Sequence, residues 1–420
     1  MLHLIEGAFP FFALPFVISL ICVPIAKRIG FALKVYAVEN NRTVHHGKIV
    51  QMGGLAVFVA FMISMACFLK ADSTINGILI GGSVVFLGGL LDDMINLSPL
   101  KKLLFEVAGA LIAILVGGIG LTSITLPFGI EINMMPFSFL VSFIWIVGVT
   151  NAINLIDGLD GLSAGICFIV VCTIGFIGFF MGRRDIPVIS LILAGAIAGF
   201  LPYNFHPASI FQGDCGALFL GFTLACLSLL GFKTTTFITL GFPVIILFVP
   251  ISDTLIAMVR RKLSGKGIMQ ADRSHLHHIL MYKLKLGHRN TVLVLYLVTA
   301  LFGGTAVLSY FNEQWGMIML VVLTIVAEIF VEATEMINPK WHPLLGLCRR
   351  LTGHPKKKAL VEETDPGDAS EVLTEAESEA ENTEADDQED EDRLADAESS
   401  VEEEPSDENE ADSEENEALK

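Results

Sequence analysis

Residues 77–96 read GILIGGSVVFLGGLLDDMIN, an apolar run that ends on two adjacent carboxylates, Asp92 and Asp93. Such a run suits a membrane-crossing helix, and Gly88 and Gly89 let helices pack closely near the membrane face. A carboxylate at a bilayer boundary is expensive to place and marks a functional site. Asp157, Asp160, Asp214 and Asp253 also stand at the ends of, or within, long apolar runs.

Outward from this stretch, eleven candidate spans fall near 9–26, 53–69, 77–91, 103–118, 137–155, 161–181, 187–204, 216–232, 237–259, 291–311 and 316–333. A bilayer core of about 30 Å needs roughly 20 apolar residues per helix. The composition agrees, with 53% hydrophobic residues and a mean hydropathy of +0.64, too apolar for an ordinary soluble protein. The stretch 119–136 alternates too strongly to span and reads as a short exterior hairpin. The expected fold is an all-α polytopic membrane protein of about eleven transmembrane helices. Residues 1–335 form the membrane domain, 336–360 a basic juxtamembrane segment and 361–420 an acidic tail.

The net charge of −18 conceals two opposite halves. The tail holds 28 Asp/Glu against Arg393 and Lys420, so residues 1–360 carry +8. With the N-terminus outside, the exterior basic residues are Lys70, Arg183, Arg184 and Lys233. Lys27, Arg28, Lys34, Arg42, Lys48, Arg260, Arg261 and Lys262 are then among those in the cytoplasm. This orientation puts all six aspartates and the C-terminus on the cytoplasmic side. The tail lacks the apolar residues to fold and reads as disordered, either a charged spacer or a dock for a basic partner. No basic region precedes the first span, so no cleavable signal peptide is expected. Of seven cysteines, five lie in spans and none invites an exterior disulfide.

Four ordered motifs carry chemistry. In Gly88–Asn96 the neighbouring carboxylates repel unless a cation or proton lies between them; the plain alternative is a loop that begins with acids. In Asn151–Leu162, Asn151, Asn154 and Asp157 recur every third residue and share a helix face. Gly158 and Gly161 permit a turn and close approach to a ligand. Such a face offers oxygens for Mg²⁺ and donors for phosphate or sugar, against the alternative of a structural polar helix end. Asp214, between Gly213 and Gly216 just before a span, suits a hard-cation ligand, although Gly-Asp turns are common. His275, His277 and His278 follow Arg273 in a basic loop and suit a diphosphate or a sugar. Without cysteine or a His-Glu helix they make a poor zinc site, and surface histidines are the plain alternative. Lys48, just before the second span, is either a phosphate ligand or an ordinary cytoplasmic lysine. Asp253 is either part of the site or a helix-packing acid.

With these residues in place, the chain resembles the polyprenyl-phosphate N-acetylhexosamine-1-phosphate transferases over roughly residues 1–335. That family also contains the phospho-MurNAc-pentapeptide transferase. The resemblance implies a cytoplasmic-face site and Mg²⁺, with Mn²⁺ a substitute. It implies Asp92, Asp93, Asp157 and Asp160 as catalytic residues and Asp214 and Asp157 as metal ligands. Asn151, Asn154, His275, His277 and His278 are then the substrate contacts that the matched motifs supply, and Lys48 and Arg273 join them on their local chemistry alone. The HxHH loop, and Asn96 where the pentapeptide branch has lysine, point to the branch that uses UDP-GlcNAc and undecaprenyl phosphate to begin a cell-envelope glycan. A MurNAc-pentapeptide transferase and an ion-coupled transporter are the alternatives. The expected setting is a bacterial cell membrane with its lipids; a homodimer is allowed and no nucleic-acid partner is expected.

Overall fold

The computed structural model describes residues 2–37, 48–121, 123–126, 130–133, 135, 137–231, 241–263, 265, 275–334, 336–337 and 343–344. Arg273, most of the basic juxtamembrane segment and the acidic tail lie outside the described residues.

The apolar runs form helices α1 (Leu2–Leu33), α2 (Gly53–Phe68), α3 (Ser73–Ile95), α4 (Pro99–Leu115), α5 (Ser138–Ile156), α6 (Leu162–Phe180), α7 (Asp185–Asn204) and α8 (Gly213–Gly231). Between α4 and α5, strands β1 (Ser123–Leu126) and β2 (Ile130–Asn133) pair antiparallel, the hairpin that the alternating stretch foretells. The chain continues through α9 (Gly241–Ile246), α10 (Phe248–Leu263), the short α11 (Leu276–His278), a π-helical turn at Ile279–Lys283, α12 (Gly287–Phe311) and α13 (Glu313–Ala333).

Local chemistry sets these ends. The Asp72 carboxylate accepts the Ile75 N–H at 2.7 Å and caps α3, and Pro99 opens α4 where its missing N–H costs nothing. Asn96 ends α3 in the left-handed region at φ 49°, a conformation that asparagine tolerates better than most residues.

Among the described residues eight helices are long and apolar enough to cross a membrane: α1, α3, α5, α6, α7, α8, α12 and α13. The protein is thus an all-α polytopic membrane protein, but three of the eleven expected spans differ. Helices α2 and α4 stop at 16 and 17 residues. The ninth run is interrupted at Leu247, where Pro250 has no N–H to offer the carbonyl of Ile246 and its ring crowds that oxygen.

Helix α8 is the centre of the bundle. Every residue from Cys215 to Gly231 is buried, against α3, α5, α2 and α6; a helix apolar all round requires such a place. Helices α1 and α13 lie at the other extreme, with 17% and 11% of their spanning windows buried. Gly89 sets the approach of α3 to α8: a Cβ there would lie 2.6 Å from the Asp214 backbone.

Short links join α3 to α4, α5 to α6 and α7 to α8 at one end of the bundle. The α1–α2 link is tied to that same end. Phe211 N–H donates to Val50 O at 2.9 Å, and Gly53 N–H returns a bond to Phe211 O at 2.8 Å. The motifs therefore converge because each occupies a link or helix terminus at that end.

Candidate active site

At this end a cavity of about 410 Å³ is lined by Asp92, Asp93, Asp157, Asp160, Asp214 and His278, with Gln51, Tyr282 and His288 among its other walls. Five of the six aspartates meet there, and each has a different task.

Asp93 receives the start of α8. Its Oδ1 accepts the Asp214 N–H at 2.8 Å and its Oδ2 the Cys215 N–H at 3.0 Å. A carboxylate at a helix N-terminus satisfies orphan donors and complements the helix dipole. The close fit needs Gly213, which lies in the left-handed region at φ 74° and whose absent Cβ would meet Asp93 Oδ2. Asp92 turns elsewhere: its Oδ1 accepts the Leu97 N–H at 2.6 Å, and its Oδ2 pairs with Lys102 Nζ at 3.1 Å.

Lys102, which the sequence reading missed, joins three motifs. Its ammonium lies 3.1 Å from Asp92, 2.8 Å from Asp214 Oδ2 and 3.1 Å from Asn154 Oδ1. Asn154 in turn donates to Asp214 Oδ1 at 2.5 Å. A lysine one turn into a helix reads as an ordinary cytoplasmic charge, so nothing local distinguished it. Asn151, expected on the same substrate face, instead donates to the buried carboxylate of Glu106 and to Val147 O. It does not line the cavity.

Asp157 caps the C-terminal end of α5 and lines the cavity. Among the described residues nothing donates a hydrogen bond to its carboxylate. Burial, with the neighbouring Asp214, Asp93 and Asp160 charges, pushes its pKa well above the ordinary carboxylate range. It needs a proton or a cation. Oxygen donors from Asp157 and Asp214 are the hard set that suits Mg²⁺.

Asp160 is buried and works as a tie. Its Oδ2 pairs with His206 Nδ1 at 2.9 Å and accepts the Ala208 N–H at 3.0 Å. The His206 and His288 rings stack with centroids 4.2 Å apart, and His288 Nε2 accepts the Asp160 N–H at 3.2 Å. Ligand-type atoms of this trio lie within 4.8 Å of one another, and their hydrogen bonds account for that proximity. Neither His206 nor His288 was among the residues expected to form the site.

The three histidines of the HxHH loop also divide. His278 lines the cavity and stacks on Tyr282, with centroids 5.8 Å apart. His277 is buried against the Asp157–Asp160 turn; a Cβ at Gly158 would lie 2.4 Å from its Nε2. Burial and the adjacent His278 lower its pKa to about 3, so the ring is neutral at physiological pH. His275 is buried beside Asp253. All three were expected to bind substrate; here His278 lines the cavity, and His275 and His277 are buried and do not. Lys48 is exposed, over the Tyr36 ring at 5.2 Å, and does not line the cavity. Arg273 lies outside the described residues.

The profile of glycosyl transferase family 4 matches residues 75–232, which contain the paired aspartates, the Asn151–Leu162 element and Asp214. A probable undecaprenyl-phosphate N-acetylglucosaminyl 1-phosphate transferase of Bacillus subtilis (strain 168) is 39% identical over 80% of this chain and 96% of its own length. A decaprenyl-phosphate N-acetylglucosaminephosphotransferase of Mycobacterium leprae is 31% identical over 71% of this chain and 83% of its own. An undecaprenyl-phosphate alpha-N-acetylglucosaminyl 1-phosphate transferase of Escherichia coli K12 is 26% identical over the same two shares, 71% and 83%. With its motifs gathered in one cavity and this similarity along most of its length, the chain belongs to glycosyl transferase family 4, in the branch of the polyprenyl-phosphate N-acetylglucosamine-1-phosphate transferases.

Proposed function

We propose that the protein transfers N-acetylglucosamine 1-phosphate from UDP-N-acetylglucosamine to undecaprenyl phosphate and releases UMP. The observation that carries this reading is the carboxylate surplus of the cavity. Asp92, Asp93, Asp157 and Asp214 line one cavity; among the described residues only Asp92 and Asp214 pair with the Lys102 ammonium, and nothing donates a hydrogen bond to the Asp157 carboxylate. A site for two anionic substrates with this surplus calls for a divalent cation. Asp157 and Asp214 would hold Mg²⁺, or Mn²⁺ in its place. When bound, the cation neutralises diphosphate charge and polarises the phosphoryl group.

An oxygen of the lipid phosphate attacks the β-phosphorus of the nucleotide sugar. The bond from that phosphorus to the bridging oxygen breaks, and UMP departs with the electron pair. Lys102, oriented by three acceptors, supplies fixed positive charge where charge builds up. The acceptor needs no base, since a phosphate monoester with a second pKa near 6 is already largely dianionic at neutral pH. Asp92 and Asp93 are both hydrogen-bonded and ion-paired or capping a helix, which supports direct attack over a covalent aspartyl intermediate. His278 and Tyr282 offer a flat wall for the nucleotide sugar. One diphosphate linkage replaces another, so the step is near thermoneutral and reversible. The basic residues at this end favour a cytoplasmic site, where the lipid enters sideways and the nucleotide arrives from water.

The test is UMP release by the purified protein in lipid vesicles. Turnover is expected only when UDP-N-acetylglucosamine, undecaprenyl phosphate and Mg²⁺ are all present. Turnover of UDP-MurNAc-pentapeptide instead would move the protein to the other branch of the family, and turnover of neither would overturn the reading. Capture of ³²P on the enzyme from β-labelled donor, without acceptor, would overturn direct attack.

A further inference from the structure

Asp253 is the one aspartate of the six that does not line the catalytic cavity. It is 2% exposed on α10, and both of its carboxylate oxygens are engaged by the start of the histidine segment. Oδ2 lies 3.0 Å from His275 Nδ1, and Oδ1 accepts the Leu276 N–H at 2.8 Å. His275 is itself buried, three residues before the cavity-lining His278. The other face of Asp253 borders an apolar groove of about 450 Å³ between α10, α12 and α13.

We infer that Asp253 is a positioning residue: it fixes the protonation of His275 at Nδ1 and anchors the histidine segment, so that His278 stands at the cavity wall. The assignment follows from donor and acceptor roles. A carboxylate only accepts, so the ring nitrogen facing it carries the hydrogen and Nε2 points away. The second contact is a backbone N–H, which has no alternative role. Asparagine at 253 must therefore keep its carbonyl oxygen toward Leu276 and turn its amide N–H₂ toward His275. The histidine then has to present Nδ1 as an acceptor, and its hydrogen moves to Nε2. Asp253→Asn thus inverts the tautomer of one buried histidine while removing almost no volume.

Two measurements on the full-length protein in lipid test this. The first needs no turnover: ¹⁵N-histidine solid-state spectra, with His275 assigned by difference against His275→Gln. The wild type is expected to show a protonated Nδ1 at His275, and Asp253→Asn a bare one. A bare Nδ1 in the wild type overturns the inference, and it does so even if Asp253→Asn fails to fold. The second measurement rests on the transferase reading. Asp253→Asn is expected to lower kcat/KM for UDP-N-acetylglucosamine by about tenfold or more, the scale on which outer partners of site residues act. KM for undecaprenyl phosphate should stay unchanged, and Asp253→Asn combined with His275→Ala should be no slower than His275→Ala alone. Costs that add in full would overturn the inference, because the aspartate would not then act through the histidine. A shift confined to KM for the lipid would also overturn it, placing the residue's role in the groove. If the transferase reading fails, the spectra still decide the tautomer.

Discussion

Lys102 Nζ stands 2.8 Å from Asp214 Oδ2, so a fixed cation already occupies one oxygen of a candidate metal ligand. A divalent ion held at Asp214, as proposed, would compete with the ammonium for the same carboxylate cluster and support the same charge build-up. Lys102→Met is expected to separate these two effects. Turnover should fall by about 10²–10³-fold, the scale of losing one preorganised charge donor. Mn²⁺ should bind more tightly, because the cluster becomes one charge more negative. Electron paramagnetic resonance of Mn²⁺ binding, alongside UMP release, checks both. Unchanged metal affinity would show that Lys102 and the cation do not share Asp214.

Asp93 is expected to behave as a helix cap. Asp93→Ala strips both acceptors from the first turn of α8 and should lower stability by about 1–2 kcal/mol, read as an earlier thermal transition in detergent. Activity should fall with it, because Asp214 is the residue whose N–H loses its partner. Full stability with lost activity would assign Asp93 a direct chemical role instead.

Gly89 and Gly148 form a matched pair on two helices of the same bundle. A methyl group at Gly89 would meet the Asp214 backbone, whereas one at Gly148 meets nothing within 4 Å. Gly89→Ala should cost about 1–3 kcal/mol through overpacking and displace the Asp214 end of α8, reducing turnover more than tenfold. Gly148→Ala should be neutral in both assays.

His277 gives the folded protein a sensitivity to acid. Its folded pKa of about 3 lies below the ordinary histidine value of 6.5, so between those limits the unfolded chain binds a proton that the folded one refuses. Stability therefore falls as pH drops below about 6.5, by up to about 1.4 kcal/mol per pH unit. Comparing melting temperatures at pH 7.5 and 5 should show a smaller drop for His277→Gln than for the wild type. Equal drops would show that His277 is not the group responsible.

Much of the architecture was readable from residue order, because hydropathy and helix length are local properties. The hairpin at 123–133 and the placing of every motif at a helix end follow from such patterns. The interruption at Leu247 was also local in cause, through Pro250, but a sliding count of apolar residues ignores a missing N–H. The site was less legible. Asp157 and Asp214 announce themselves through their glycines, whereas Lys102 looks like any lysine near a membrane surface. Its three partners lie on α3, α5 and α8, and only tertiary packing unites them. The HxHH pattern likewise shows three imidazoles without saying which way each ring points. Gly158 decides that for His277, and Asp253 decides it for His275.

The burial of α8 has a mechanical consequence. Asp214 rides on a helix enclosed by its neighbours, while α1 and α13 are the least buried of the eight spanning helices and so the most open to lipid. A change in bilayer thickness is met by tilting or bending at the lipid-facing helices, at a fraction of a kcal/mol per Å of mismatch. That strain must cross intervening layers of side chains before it reaches the carboxylate cluster. The reacting groups are thus insulated from the membrane in which one of their substrates is dissolved.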